Sequence, residues 1–379
     1  MPSFLSHLGT EPDVRAVSLK GRTLALREVP TPVPASGQML VRTLACAICA
    51  SDHHYMDHPE VAQADRSGMR VDAPHADVVM GHEYCAELVA YGPGTKQEWP
   101  IGTRLTSPPA LFTHAGMRII GMAPEAPGGF GEYFLLSEDL ARPLPDDLPV
   151  ERLALIDAMA VGWYYTRVGS TGDVADNSVP LVVGLGAIGL SVVAALRHRG
   201  IGPIVASDFS ESRRKLALEL GADMVIDPAN ESPWAEWRSA AWGRPEEVHD
   251  RIALMGKPTQ VIYECVGASG VLADILENCG QEARVLSAGG AASDTIPSAA
   301  AKLKGVNIQF GGGPAVTDWY ETLDLVVDGS LDPTPLIGET VPLADLADAI
   351  DRARSSAGPV RILYVAEPQN ANPQEGTTK

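Results

Sequence analysis

The chain has 379 residues, of which 45% are hydrophobic and 20% charged, as is ordinary for a folded globular protein. At roughly 150 residues per domain, this length predicts two or three domains. The net charge of -19, from 29 Lys+Arg against 48 Asp+Glu, disfavours nucleic acid as a partner, because a phosphate backbone needs a basic surface.

Neither a secretory signal nor a membrane span is expected. Residues 1–13 are mixed and polar, and the longest apolar run, residues 181–196, is shorter than the roughly 18 to 20 residues that span a bilayer. Five irregularly spaced cysteines do not suggest a disulfide framework. We therefore predict a cytoplasmic protein with no membrane partner.

The first part of the chain is predicted to be mostly β. Residues 14–19 alternate in polarity, residues 39–46 form a good strand, and residues 84–91 alternate again before a glycine and proline turn. Around residue 151 the apolar side chains begin to recur at helical spacing.

Short apolar strands then alternate with helices. This order predicts a parallel, doubly wound sheet with helices on both of its faces. Further on, two helices and a last strand are expected before a polar, loose tail at residues 367–379. The strands of the sheet are predicted at 179–183, 204–207, 224–226, 260–266 and 283–288, with helices at 190–198, 210–220, 319–327 and 343–353.

A glycine loop follows the first strand of this sheet. Its pattern, G-x-G-x-x-G between a strand and a helix, is typical of dinucleotide-binding folds. The first glycine permits the tight turn, the second lets a pyrophosphate approach, and the third lets helix and strand pack closely. The predicted cofactor-binding residues of the loop are Gly184, Gly186, Ala187, Ile188 and Gly189.

Asp208 stands at the end of the second strand and indicates the type of dinucleotide. A carboxylate there accepts hydrogen bonds from the adenosine ribose hydroxyls and repels a 2'-phosphate, so NAD is predicted over NADP. Arg213 is a further candidate for cofactor binding. Arg213 and Arg214 could hold a 2'-phosphate or form the solvated face of the next helix.

A second group of residues has the chemistry of a metal site. The stretch Cys49-Ala50-Ser51-Asp52-His53-His54 combines a thiol, a hydroxyl, a carboxylate and imidazoles, a mixture that packing does not require. Gly81-His82-Glu83 adds an imidazole, and Asp157 adds a carboxylate. Catalytic zinc is usually held by three protein ligands with one position left open.

Together these motifs resemble the zinc-dependent alcohol dehydrogenases of the medium-chain dehydrogenase/reductase superfamily, over residues 14–365. The resemblance rests on Cys49-x-Ser51-Asp52-x-His54, Gly81-His82-Glu83, the glycine loop with Asp208, and residues 343–349. It implies an α/β fold with a GroES-like β-rich catalytic domain and a doubly wound Rossmann domain. The expected units are residues 1–160 and 309–366 for the catalytic domain, 161–308 for the Rossmann domain, and 367–379 for the tail.

The resemblance also implies the metal ligands. Cys49 and His82 match the first two zinc ligands of the family, and Asp157 matches the third by its spacing before Gly162. Glu83 would lie behind the metal or serve as an occasional ligand, which leaves open whether Asp157 or Glu83 is third.

Zinc held in this way is a Lewis acid that lowers the pKa of an alcohol, which then transfers hydride to the nicotinamide. Asp52 would orient His82. Ser51 would take the alcohol proton and pass it through the nicotinamide ribose to His54, or to His53, His58 or His75 in its place. Arg361 matches a basic residue near the cofactor phosphates.

Two features depart from the family pattern. Residues 103–130 contain no cysteine, so one catalytic zinc per chain and no structural zinc is predicted. Residues 59–79 look inserted and could shape the substrate pocket or an oligomer contact.

The predicted function is reversible NAD-dependent oxidation of a primary or secondary alcohol to an aldehyde or ketone, in a homodimer or homotetramer. The alternatives are a polyol or sugar dehydrogenase, a zinc-free quinone or enone reductase, which would lack Cys49 and His82, and a cofactor-sensing binding protein. An aromatic or branched substrate is favoured by four pocket candidates, Leu111, Phe112, Trp163 and Tyr164.

Overall fold

The computed structural model describes residues 13–170, 178–242, 259–290, 293–355 and 358–367. A long central strand organises the first part of the chain. This strand, β3 (Gln38–Ala47), pairs along one edge with β5 (Glu83–Tyr91). Its other edge is shared by β9 (Tyr133–Ser137) and β18 (Arg361–Val365). The strand near the C-terminus therefore returns to the first sheet, since Leu363 lies opposite Ala47.

Two smaller sheets and the outer strands complete this β-rich part. Its buried face is apolar and includes Met39, Leu88 and Phe134, all fully buried. The other strands are β1 (Val14–Lys20), β2 (Thr23–Val29), β4 (Val78–Val79), β6 (Arg104–Thr106), β7 (Ala110–Thr113), β8 (Gly116–Ile119), β10 (Arg142–Pro143) and β17 (Ile337–Val341), and the helices are α1 (Ala50–Asp57), α2 (Pro59–Ala64) and α3 (Val150–Ala154).

The second part is a parallel sheet of six described strands in the order β13-β12-β11-β14-β15-β16, which confirms the predicted doubly wound sheet. The order reverses between β11 and β14, the switch point at which such sheets bind ligands. The strands are β11 (Ser178–Val183), β12 (Val205–Ser207), β13 (Met224–Ile226), β14 (Thr259–Glu264), β15 (Arg284–Ser287) and β16 (Asn307–Phe310), and the helices are α5 (Ala187–His198), α6 (Glu211–Glu219), α7 (Pro233–Trp242), α8 (Val271–Asn278) and α9 (Ser298–Lys304).

Two helices lie between the β-rich part and the parallel sheet. The first, α4 (Ile156–Gly169), packs on α5 so closely that a Cβ at Gly162 would lie 2.6 Å from the Ser191 backbone. The second, α10 (Val316–Asp328), packs on α4. Because α4 begins beside the β-rich part and ends on the parallel sheet, its first turn lies between them. A final helix, α11 (Leu346–Arg352), follows a 3-10 turn at Leu343–Asp345.

Several elements differ from their predicted positions or content. The glycine-loop helix starts at Ala187 and not at residue 190, because Gly186 already stands at its N-cap. The predicted inserted loop contains α2, which begins at Pro59, a residue that suits the first helical position. The tail beyond residue 367 lies outside the described residues. Within the described ranges, no helix has the length and apolarity needed to cross a membrane.

Candidate active site

Cys49 is held at the junction between β3 and α1. It is the N-cap residue of α1, and its backbone N–H donates a 2.9 Å hydrogen bond to Oδ2 of the buried Asp52. A carboxylate in the first turn also complements the positive end of the helix dipole. The start of the helix thus fixes the positions of the Cys49 thiol and the Ser51 hydroxyl.

His82 is oriented by two partners from this helix. Its Nδ1 lies 3.2 Å from Oδ1 of Asp52, as an ion pair and not as a straight hydrogen bond. Its Nε2 lies 2.9 Å from Oγ of Ser51. Burial lowers the pKa of His82, but Asp52 and Cys49 outweigh this effect and leave the pKa well above its usual value. The contact with Asp52 is the one that its predicted orienting role requires.

The residue before His82 has to be glycine. Gly81 has a φ of +92°, and a Cβ there would lie 2.5 Å from the Phe130 ring and 2.8 Å from Sγ of Cys46. The left-handed backbone and the lack of space together explain the Gly-His-Glu motif.

Glu83 and Arg361 form a buried ion pair beside the thiol. Nη2 of Arg361 donates a 2.8 Å hydrogen bond to Oε1 of Glu83 and lies 3.7 Å from Sγ of Cys49. Burial raises the pKa of Glu83 to about 8, although Arg361 opposes this. For Cys49, burial raises the pKa, but Arg361 and His82 lower it to about 6, which favours the thiolate. The structure thus places Arg361 at the metal candidate, and its contact with cofactor phosphates stays a prediction.

Replacing Arg361 with glutamine is expected to destabilise the protein by about 1–3 kcal/mol, because the buried Oε1 of Glu83 would lose its hydrogen-bond donor. Arg352→Gln is the matched control, since its pair with Glu339 is exposed and contributes at most about 1 kcal/mol. Unfolding midpoints in guanidinium chloride measure both changes. Equal midpoints for the two variants would contradict the prediction.

The donor set fits zinc. One donor atom each from Cys49, His82 and Glu83 lies within 4.8 Å of the others. Oε2 of Glu83 is buried and has no hydrogen-bond partner, as expected of an atom kept for a ligand. Thiolate, imidazole and carboxylate are the ligand types that zinc takes in proteins.

Asp157 lies next to this group but is not a member of it. It stands in the first turn of α4, and its Oδ1 accepts a 2.9 Å hydrogen bond from Nε1 of Trp319. Burial and the charge of Glu83 raise the pKa of Asp157 to about 6, whereas His82 and Trp319 lower it. The three gathered donors therefore include Glu83 in the place predicted for Asp157, whose role as a zinc ligand stays a prediction.

The glycine loop has the geometry that a dinucleotide needs. Gly184 has a φ of +89°, and a Cβ at Gly189 would lie 1.9 Å from the Gly184 carbonyl oxygen. In contrast, a Cβ at Gly186 would meet no atom within 4 Å, so open space faces the N-terminus of α5. Ala187 and Ile188 form the first turn of that helix, whose amides suit a pyrophosphate.

Asp208 is fixed beside the loop. Its Oδ2 accepts a 2.7 Å hydrogen bond from the Leu185 N–H, and its Oδ1 accepts one of 2.7 Å from the Ser210 N–H. Arg214 donates to the Asp208 carbonyl oxygen and pairs with Asp227, so its guanidinium is occupied in holding the turn. Arg213 is half-buried, and its Nε has no hydrogen-bond partner.

Two of the four pocket candidates are buried in the core, Phe112 is exposed and Tyr164 is half-buried. Leu111 is 0% exposed in the core of the β-rich part. Trp163 is 4% exposed, lies under the Arg199 guanidinium and donates from Nε1 to Glu321. Leu111 and Trp163 are therefore packing residues, and the aromatic or branched substrate stays a prediction.

His54 lies near the surface beside another histidine. Its ring centroid is 4.7 Å from that of His58, and the ring is half-buried. Burial and the charges of His58 and Arg70 lower the pKa of His54. A neutral imidazole at this position can accept a proton at neutral pH.

A thiolate, an imidazole and a carboxylate gathered beside a dinucleotide fold are typical of metal-dependent dehydrogenases. Two family models match the chain, "Alcohol dehydrogenase GroES-like domain" over residues 35–146 and "Zinc-binding dehydrogenase" over residues 187–328. The chain belongs to the zinc-dependent medium-chain dehydrogenase/reductase family, and its predicted GroES-like and Rossmann fold is confirmed. The boundaries at residues 160 and 308 stay predictions.

Relatives with known names are dehydrogenases. Sorbitol dehydrogenase of Bos taurus is 26% identical, covering 92% of this chain and 95% of that protein. (R,R)-butanediol dehydrogenase of Bacillus subtilis (strain 168) is 33% identical over 55% of this chain and 61% of that protein. One similar solved structure is a short chain alcohol dehydrogenase from E. coli CFT073 with NADH, which has a TM-score of 0.74 and 20% identity and covers 94% of this chain and 100% of that chain. Another is a zinc-binding dehydrogenase from Sinorhizobium meliloti 1021 bound to NADP, which has a TM-score of 0.75 and 22% identity and covers 94% of this chain and 100% of that chain.

Proposed function

We propose that this enzyme catalyses the reversible, NAD-dependent oxidation of an alcohol to an aldehyde or ketone, with one zinc ion per chain. Family membership already gives an oxidoreductase that acts on CH–OH groups. The observation that supports the proposal best is the gathering of Cys49, His82 and Glu83 within 4.8 Å. Metal content of the purified protein, together with NADH formation from a panel of alcohols, tests it.

The reaction needs a Lewis acid and a route for one proton. Zinc, when bound, would polarise the alcohol oxygen. Asp52 holds His82 in place, so that Nδ1 of His82 faces the Asp52 carboxylate and Nε2 faces the Ser51 hydroxyl and the Cys49 thiol. The Ser51 Oγ would accept the alcohol proton and pass it through the nicotinamide ribose hydroxyls to His54.

The substrate has a second candidate class, the polyols and vicinal diols. It is favoured by the names of the relatives, which act on sorbitol and butanediol. Turnover of sorbitol or 2,3-butanediol above simple primary and secondary alcohols would select this class. Activity on enones or quinones without bound zinc would instead overturn the metal mechanism. A homodimer or homotetramer also stays a prediction.

Replacing Asp208 with glycine is expected to weaken NAD binding about ten- to hundredfold while NADP binding does not fall. The ribose would lose a hydrogen bond to a charged group, worth about 1.5–3 kcal/mol, and a 2'-phosphate would lose its repulsion. Titration with both dinucleotides measures the change.

Asp223→Gly is the matched control for this experiment. The Asp223 carboxylate also accepts a backbone hydrogen bond, from Ile204 at 2.7 Å, but at the opposite ends of the strands. The Asp223→Gly variant should have the same ratio of NAD to NADP affinity as the wild type. An unchanged ratio in Asp208→Gly would remove Asp208 from its role.

A further inference from the structure

The interface between α4 and α10 contains a set of polar bonds that join two helices far apart in sequence. Trp319 donates to Asp157 at 2.9 Å, Trp163 donates to Glu321 at 2.8 Å, and Nη2 of Arg167 donates to Asp318. The last two lie further along α4, away from the metal candidate. The bond between Trp319 and Asp157 lies in the first turn of α4.

The Trp319 indole N–H is directed to Asp157. Its side chain is 1% exposed, and its indole can donate a hydrogen bond but cannot accept one or bind a metal. The bond occupies Oδ1 of Asp157 and so limits the rotation of the carboxylate. Asp157 stands in the first turn of α4, and α4 packs against β5, the strand that begins at Glu83.

We propose that Trp319 is a positioning residue that holds the Asp157 carboxylate for the zinc site. This inference rests on the proposed function. A group that fixes a ligand through a hydrogen bond lowers the entropy that the ligand loses when the metal binds. Such outer partners are typically worth 10- to 100-fold in metal affinity.

The test is zinc affinity, measured by competition with a chromogenic chelator. Trp319→Phe keeps an aromatic ring and removes the N–H, and it is expected to bind zinc 10- to 100-fold more weakly. Trp163→Phe is the matched control, because it deletes an equivalent indole-to-carboxylate bond between the same two helices. It should bind zinc as the wild type does. Equal affinities in the two variants would overturn the proposal.

A second substitution shows whether Trp319 acts through Asp157. In Asp157→Asn the zinc affinity should fall, and adding Trp319→Phe should lower it little further, because the carboxylate has already been removed. A loss that is the full sum of the two single losses would mean that Trp319 affects the site by another route and would overturn the proposal.

A measurement on the wild type keeps the inference testable if Trp319→Phe does not fold. The chain has six tryptophans, and the indole N–H signal that shifts in Asp157→Asn identifies Trp319 in NMR spectra. Zinc should shift this signal, and no shift would overturn the proposal. If the wild type itself binds no zinc, the proposed function fails as well. If it binds zinc and only the Trp319 results are negative, this inference fails alone.

Discussion

Replacing Cys49 with alanine should remove zinc and activity together. The thiolate is the strongest electron donor of the gathered set, and Arg361 and His82 lower its pKa to about 6, so that it is ionised at neutral pH. Without it, two donors remain at the site, and Arg361 and Glu83 lose a shared neighbour. We expect zinc content to fall from about one per chain to near zero and turnover to fall by more than the roughly 100-fold that an outer partner is worth.

Cys46→Ala is the control for this experiment. Cys46 lies three residues earlier, is fully buried, and contacts the glycine positions that precede His82 and Phe130. Its pKa is raised well above the usual value by burial, so it stays a neutral thiol. This variant should keep its zinc and its turnover at the cost of some thermal stability. Retained turnover in Cys49→Ala would refute the metal mechanism.

Replacing Ser51 with alanine should lower kcat by about 10²- to 10⁴-fold, the usual contribution of a positioned proton acceptor. The hydroxyl lies 2.9 Å from Nε2 of His82 and is half-buried at the start of α1. Because Ser51 is not among the gathered donors, zinc content should stay at about one per chain. Steady-state kinetics and metal analysis of the same sample separate the two effects.

Ser51→Thr keeps the hydroxyl and is the matched control, with kcat expected within about tenfold of the wild type. If alanine and threonine at this position give the same kcat, the proton does not pass through Ser51. A fall in zinc content in Ser51→Ala would mean instead that the hydroxyl supports the metal site through His82.

The residues whose roles depend on local chemistry could be predicted from the amino-acid sequence alone. The glycine loop could be predicted because strand, loop and helix are contiguous, and the space around Gly184, Gly186 and Gly189 differs as the pattern requires. Cys49 and His82 could be predicted because a thiol and an imidazole next to a strand end are ligand types that packing does not need. The order of strands and helices likewise predicts the parallel sheet, because short apolar strands that alternate with helices pair in parallel through crossover connections.

The way in which distant segments complete the site could not be predicted before the chain was seen folded. Glu83 and Arg361 are 278 residues apart, and Asp157 and Trp319 are 162 apart, so no sequence period links them. Their contacts exist because β18 returns to β3 and because α10 packs on α4. For the same reason the sequence did not show that Leu111 and Trp163 face a core, as an apolar side chain looks the same in sequence whether it lines a pocket or fills an interior.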